Sequence, residues 1–161
     1  MNLNEMRINP FKEIGSDWAL VTAGTKNGAN MMTVSWGAVG VMWGKNVVFV
    51  FVRGSRYTKE FLDSGDTFSL SFFDEKYKPA LSLCGSKSGR DIDKWAASGL
   101  TPCEKDGAVY PEEAKRSFLC KKLAAVPVTK EHILDPSVAP EWYPSNDYHT
   151  MYVGEIIEVR G

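Results

Sequence analysis

A chain of 161 residues that is 43% hydrophobic and 12% aromatic carries enough apolar surface for one ordinary core, which excludes a disordered chain and makes a single domain over 1–161 the simplest organisation. A formal charge of −1 supplies no global field for nucleic acid or an anionic membrane, so any anion must be held by a local cluster. Cys84, Cys103 and Cys120 are widely spaced, with no C-x-x-C pair and no flanking histidines, which argues against a disulfide framework and a zinc site and fits a reducing, cytoplasmic setting.

In chain order, the stretch up to Gly15 has polar residues throughout and no apolar h-region, and the longest purely apolar run, Val47 to Val52, is far below the roughly 18 residues a membrane helix needs. A soluble, unexported protein is expected. Trp18 to Ala23 predicts a strand, Asn27-Gly28 is a hairpin signal, and a second strand starts near Asn30. Met31 to Trp36 leads into a stretch punctuated by Gly37, Gly40 and Gly44. Lys45-Asn46 then turns the chain into VVFVFV, Val47 to Val52, which predicts a strand buried on both faces. Ser55 is placed to cap a short helix with Tyr57, Phe61 and Leu62 on its inner face and Gly65 at its end. Thr67 to Phe72 alternates cleanly, with Phe68, Leu70 and Phe72 on one face and Thr67, Ser69 and Ser71 on the other.

Two short helices follow, Asp74 to Leu83 ending at Gly85 and Asp91 to Ser98 before Gly99, joined by Cys84–Lys94, CGSKSGRDIDK. Ala114 to Val128 has helical propensity, but Val126-Pro127-Val128 and the strand-rich surroundings favour a long, partly edge strand. Pro136, Pro140 and Pro144 mark an irregular loop, and Tyr148 to Val159 predicts a last strand with a bulge at Gly154. Many strands with only short helices predict a mainly β fold, a β-barrel with helical insertions.

No nucleotide motif survives inspection. A P-loop needs lysine and a hydroxyl residue after its second glycine, and here Arg90-Asp91 follow Gly89. No G-x-G-x-x-G occurs, and Lys87 stands where a nucleophile elbow needs serine. With His132 and His149 the only histidines, hydrolytic triads have few bases. Two basic, hydroxyl-rich clusters remain, Arg53-Gly-Ser-Arg-Tyr-Thr-Lys59 and CGSKSGRDIDK. A phosphate monoester carries about −1.5 to −2 charge and is well held by guanidinium groups, hydroxyls and free helix amides. Each cluster alone reads first as a solvated loop with helix caps and second as an anion site; together they narrow that gap. NMMTVSW, Asn30 to Trp36, sets apolar and aromatic side chains beside polar donors, which suits a flat redox ring or an ordinary half-buried strand.

NMMTVSWGAVG, VFVRGSRYTKEF, FSLSFF, CGSKSGRDIDK and DYHTMYVGEI, in this order from Trp18 to the C-terminus, resemble the flavin reductase-like (flavoredoxin-like) family of FMN-binding split β-barrels. The resemblance implies one flavin reductase-like domain, a Greek-key barrel, usually a homodimer, holding one FMN per subunit near the subunit interface. Asn30, Thr33, Val34, Ser35 and Trp36 match the strand along the flavin ring. Arg53, Ser55, Arg56, Tyr57 and Thr58 match the phosphate turn, and Cys84, Gly85, Ser86, Lys87 and Lys94 the stretch that closes over the cofactor. His149 matches a histidine close to the flavin and is the candidate catalytic residue.

Read from the residues alone, alternation puts His149 on the face of Met151 and Val153, the expected barrel side, where it is a satisfied core histidine or a functional one. Asp91 and Asp93 read as helix-start charges, and Cys84 as packing or a backbone contact. The function implied is an FMN-dependent oxidoreductase drawing electrons from NAD(P)H or a redox protein. The alternatives are an electron carrier without reductase turnover and, more remotely, a barrel that binds a phosphate ester other than a flavin. No nucleic acid, membrane or metal is expected.

Overall fold

The computed structural model describes residues 3–161. β1 (Ala19–Thr25) and β2 (Gly28–Val34) form the expected hairpin, its turn at Lys26-Asn27. β3 (Gly37–Met42) and β4 (Lys45–Arg53) form a second, turning through Trp43-Gly44, both at positive φ as a two-residue hairpin requires. α1 (Thr58–Ser64) and β5 (Thr67–Phe72) follow, then α2 (Lys78–Ser86) and α3 (Lys94–Ser98). A small hairpin, β6 (Pro102–Lys105) with β7 (Ala108–Pro111), precedes the long β8 (Arg116–Val128), the single-turn α4 (Val138–Trp142) and β9 (His149–Arg160).

Seven strands pair antiparallel in the order β2-β1-β5-β8-β9-β4-β3. One apolar cluster draws on every one of them, including Val21, Met32, Val48, Val50, Phe68, Phe118 and Tyr152 with Val39 packed alongside, so the sheet is rolled around a shared core. Its two edge strands, β2 and β3, are consecutive in sequence and joined only through Ser35 and Trp36, yet they do not pair. The barrel is split at that seam. Outside it, Leu20 and Met31 pack with Phe73, Leu81, Cys84 and Leu100, which fastens α2 onto the outer surface of β1 and β2.

Several expectations change. β3 forms where Gly37 and Gly40 suggested a broken stretch, and α4 interrupts the proline-marked loop. α2 continues through Gly85 to Ser86, and α3 begins at Lys94, where the Asp93 carboxylate accepts from the Trp95 and Ala96 amides. Ser55 caps no helix; its hydroxyl and amide donate to Asp147. VVFVFV is buried mainly on one face, with Phe49 and Phe51 half-exposed on the other. β8 is a strand flanked on both sides up to Lys121 and by β9 alone beyond, which leaves Pro127 where a missing amide is harmless. Near Gly154 the extra residue is Leu123 of β8, and Gly154 itself is required because an added Cβ would stand 2.4 Å from Phe68 Cζ.

Candidate functional site

The site is built on the outer side of the seam. In β4, Val48, Val50 and Val52 point into the core, so Phe49, Phe51 and Arg53 point out. Cross-strand pairing sets Phe51 opposite Met151 and Arg53 opposite His149, which puts His149 on the outer face. The barrel-side placement expected from alternation is therefore corrected: Tyr152 occupies that side.

His149 belongs to a cleft of about 230 Å³. β2 lines it with Met32, Thr33 and Val34, the strand connection with Ser35 and Trp36, β4 with Phe51 and Arg53, and the approach to α1 with Arg56; Trp142 completes the lining. A second cavity of about 260 Å³, lined by Trp18, Leu81, Gly85 and Ser86, shares Thr33 and Ser35 with the first. The two make one groove running along β2 from an aromatic end at Trp36 and His149 to a polar end at the C-terminus of α2.

At the aromatic end, distant segments are latched together. Arg53 donates to the carbonyls of Asp147 (3.0 Å) and Trp142 (3.1 Å), while Ser55 binds the Asp147 carboxylate and Gly54 N–H donates to the Tyr148 carbonyl. This holds the 142–148 segment against the cleft, with Trp142 edge-on to Trp36 at 5.2 Å between ring centroids. His149 lies 4.9 Å from the Trp36 ring, and its Nδ1 is 2.7 Å from the buried Tyr143 hydroxyl. Burial, reinforced by the Arg53 charge and only partly opposed by Asp147, brings the His149 pKa down to about 4, so the ring is neutral at physiological pH.

At the polar end the predicted cations do converge, on backbone oxygens. Arg56 donates to the Gly85 (2.7 Å) and Cys84 (3.0 Å) carbonyls, and Lys94 to those of Met31 and Cys84, both at 2.9 Å. Two positive groups therefore cap the last carbonyls of α2, where the helix dipole favours them, and tie the helix to β2. Lys94 is only 3% exposed, and desolvation with the neighbouring Arg56 charge brings its pKa to about 8. Burial also pushes the Cys84 thiol up, so it stays protonated and packed. Asn30 donates to the Thr58 hydroxyl (2.9 Å), and Gly89 lies so close that an added Cβ would meet Asn30 Oδ1 at 2.1 Å. Arg90 packs over the Tyr57 ring and pairs with Glu60.

Of the residues singled out in the sequence, Thr33, Val34, Ser35, Trp36, Arg53, Arg56, Gly85, Ser86 and His149 line the groove. Lys87 lines neither cavity; it is exposed at the C-cap of α2, next in sequence to Ser86, with no partner for its ammonium among the described residues. Asn30, Tyr57 and Lys94 line a different cavity of about 340 Å³, and Ser55, Thr58 and Cys84 sit in the supporting framework. Phe51, Trp142, Tyr143, Asp147 and Trp18 were not singled out as site residues. Phe51 was findable, being two residues from Arg53 on one strand face. Trp142, Tyr143 and Asp147 lie in a segment with no periodicity.

Among the described residues no helix is long and apolar enough to cross a membrane, and no His, Cys, Asp and Glu group is arranged to hold a metal. No curated protein matches the chain. Among solved structures, flavoredoxin from Methanosarcina acetivorans superposes with a TM-score of 0.71 at 22% identity, covering 98% of this chain and 75% of its own. Flavoredoxin of Desulfovibrio vulgaris (Miyazaki F) gives 0.70 at 21%, covering 99% and 75%, and the styrene monooxygenase flavin reductase of Pseudomonas putida S12 gives 0.64 at 19%, covering 89% and 78%. These likenesses establish a shared fold. The family model described as flavin reductase like domain matches residues 11–161, which takes in the whole barrel, both ends of the groove and the segment latched over it, and so the chain belongs to the flavin reductase-like family.

Proposed function

We propose that the groove binds FMN and that the protein is an FMN-dependent oxidoreductase, passing a hydride or electrons between NAD(P)H or a redox partner protein and the bound flavin. The observation that carries this reading is the groove's mixed lining: aromatic at Trp36, Phe51, Trp142 and His149 with the guanidiniums of Arg53 and Arg56 in the same cleft, and hydroxyl-bearing at Thr33, Ser35 and Ser86, with the exposed Lys87 next in sequence to Ser86. An amphiphilic ligand with a flat ring and a phosphate fits that polarity; a ligand wholly apolar or wholly charged does not. FMN supplies hydride and one-electron chemistry that side chains lack.

The chain's own contributions follow from the geometry. Trp36, Phe51 and Trp142 offer apolar contact to a ring and keep water from its face. Thr33 and Ser35 offer hydroxyls midway, although the Thr33 hydroxyl also donates to the Leu81 carbonyl. Ser86 and Lys87 are the direct phosphate candidates, with Arg56 close behind as both cation and clamp. His149 presents a neutral imidazole. Phe51, Met151 and Val126 align across β4, β9 and β8 on the outer face beside the cleft, with Val126 43% exposed; this apolar stripe supports a homodimer, to be checked by light scattering on the eluting protein. Reduced cysteines support a cytoplasmic setting.

The test is the visible spectrum of the purified protein, with the mass of any small molecule released on denaturation. Yellow protein that bleaches on reduction and releases FMN is expected; colourless protein that fails to take up added FMN refutes the proposal. The flavoredoxins among the structural neighbours favour, as a second reading, an electron carrier without NAD(P)H turnover. Anaerobic stopped-flow mixing separates the two: bleaching by NADH or NADPH supports the reductase, and bleaching only by a reduced redox protein supports the carrier.

A further inference from the structure

His149 lines the groove, and only one of its ring nitrogens is left to face a ligand, because Nδ1 is engaged by Tyr143 at 2.7 Å. A neutral imidazole carries one proton, so this contact has two arrangements with opposite consequences. If the phenol donates to Nδ1, the proton sits on Nε2 and the groove meets a donor. If Nδ1–H donates to the phenol oxygen, Nε2 is bare and the groove meets an acceptor.

A chemical preference and the burial of Tyr143 decide between them, and the nearby charges exclude a third, doubly protonated form. A phenol hydroxyl is a stronger donor than an imidazole N–H, and an imidazole nitrogen a stronger acceptor than a phenol oxygen. Tyr143 is 7% exposed and its hydroxyl has no other partner among the described residues, so the second arrangement strands a buried phenolic proton. The charged groups around the ring are Arg53, whose guanidinium lies 5.1 Å from the Tyr143 ring centroid, and Asp147; Arg53 prevails and disfavours a doubly protonated ring.

We propose that Tyr143 is a positioning residue that locks His149 in the Nε2–H tautomer, so that the groove presents a hydrogen-bond donor beside Trp36. The tautomer concerns the protein alone; its consequence for a ligand rests on the flavin reading. A donor at that place favours the electron-rich reduced flavin over the oxidised one.

The experiment is nitrogen NMR on histidine-labelled, ligand-free protein, with His149→Gln assigning the His149 signals against those of His132. The native protein is expected to show a protonated Nε2 and an unprotonated Nδ1, and Tyr143→Phe a mixture of tautomers. The phenyl ring keeps its stack on Tyr148 and its contact with Arg53, so the variant retains the local packing. The ratio of affinities for reduced and oxidised FMN is then expected to fall about fivefold in Tyr143→Phe, the scale of one hydrogen bond. In a His149→Gln background, where the amide donates without help, the same change should have no effect. A protonated Nδ1 in the native protein, or an unaltered tautomer in Tyr143→Phe, overturns the proposal. A correct tautomer in a protein that binds neither redox state of FMN upholds the positioning role and refutes the flavin reading instead.

Discussion

Lys94 gives the sharpest test of the cationic end. Its ammonium is almost fully enclosed and bonded to two carbonyls, and its pKa falls from an ordinary 10.5 to about 8, first through burial and then through the Arg56 charge. A lysine whose pKa is lower folded than unfolded releases its proton earlier in the native state. Between those two values the unfolded chain therefore holds more protons, and stability rises with pH. The contribution is fully present above the unfolded value and is lost as pH falls through about 8. Integrated from about pH 7.5 to about pH 10, the shift is worth about 2 kcal/mol of added stability. The assay is urea denaturation at both pH values for the native side chain and for Lys94→Met, in a Cys84→Ala background that removes the coupled thiol. Subtracting the two curves isolates Lys94, and the difference should grow by about 2 kcal/mol toward alkaline pH. Parallel curves would show that the ammonium is solvated, and would refute its enclosure between β2 and α2.

His149 tests the other end by the same linkage. With its folded pKa lowered from 6.5 to about 4, its contribution is complete above about 6.5 and fades as pH drops toward 4, so His149→Gln should flatten the acid limb of the stability profile by up to about 3 kcal/mol; an unchanged limb refutes the burial. Asp147→Ala removes the acceptor for Ser55 and should weaken the latch by about 2 kcal/mol, seen as faster hydrogen exchange at the Ser55 amide and across 142–148. Unaltered exchange there would mean that Arg53 and the Gly54–Tyr148 backbone bond hold the segment without Asp147. Gly89→Ala drives a methyl into Asn30 Oδ1 and should cost about 2 kcal/mol in chemical denaturation, with partial rescue by Asn30→Ser; absence of rescue would place the strain elsewhere.

Where the apolar period matched the backbone period, the elements were legible: the β1–β2 hairpin, β4, and above all β5, whose Phe68, Leu70 and Phe72 enter the core as alternation requires. Glycines misled where they serve contact. Gly37 is an ordinary strand residue whose missing Cβ would stand 2.8 Å from the Phe49 carbonyl oxygen, and Gly85 is a helical residue that keeps α2 close to Thr33. Both read as interruptions in the sequence because a turn glycine and a packing glycine have the same letter. Ser55 misled for a different reason: it stands where a cap belongs, but its partner lies 92 residues on. Local rules do not see such a partner, and the latch over His149 is made of contacts of that kind.

The cations pose the harder problem, since composition does not separate a group that faces a ligand from one that caps a helix. Arg56 and Lys94 do the second directly: both hold the Cys84 carbonyl, and with it the placement of Gly85 and Ser86 along the groove. If the groove holds FMN, replacing either would weaken its binding whether or not the side chain touches phosphate, and would lower stability too. Lys87 separates the two roles, because its exposed ammonium holds nothing in the protein. If the polar end takes phosphate, Lys87→Ala should lower FMN affinity about three- to fivefold at low salt, shrink that effect at high salt, and leave the urea midpoint unchanged. Affinity for riboflavin, which has the ring without the phosphate, should not move. Equal losses for FMN and riboflavin would mean that Lys87 acts on the ring or on the α2–α3 loop, and would leave Arg56 as the phosphate cation.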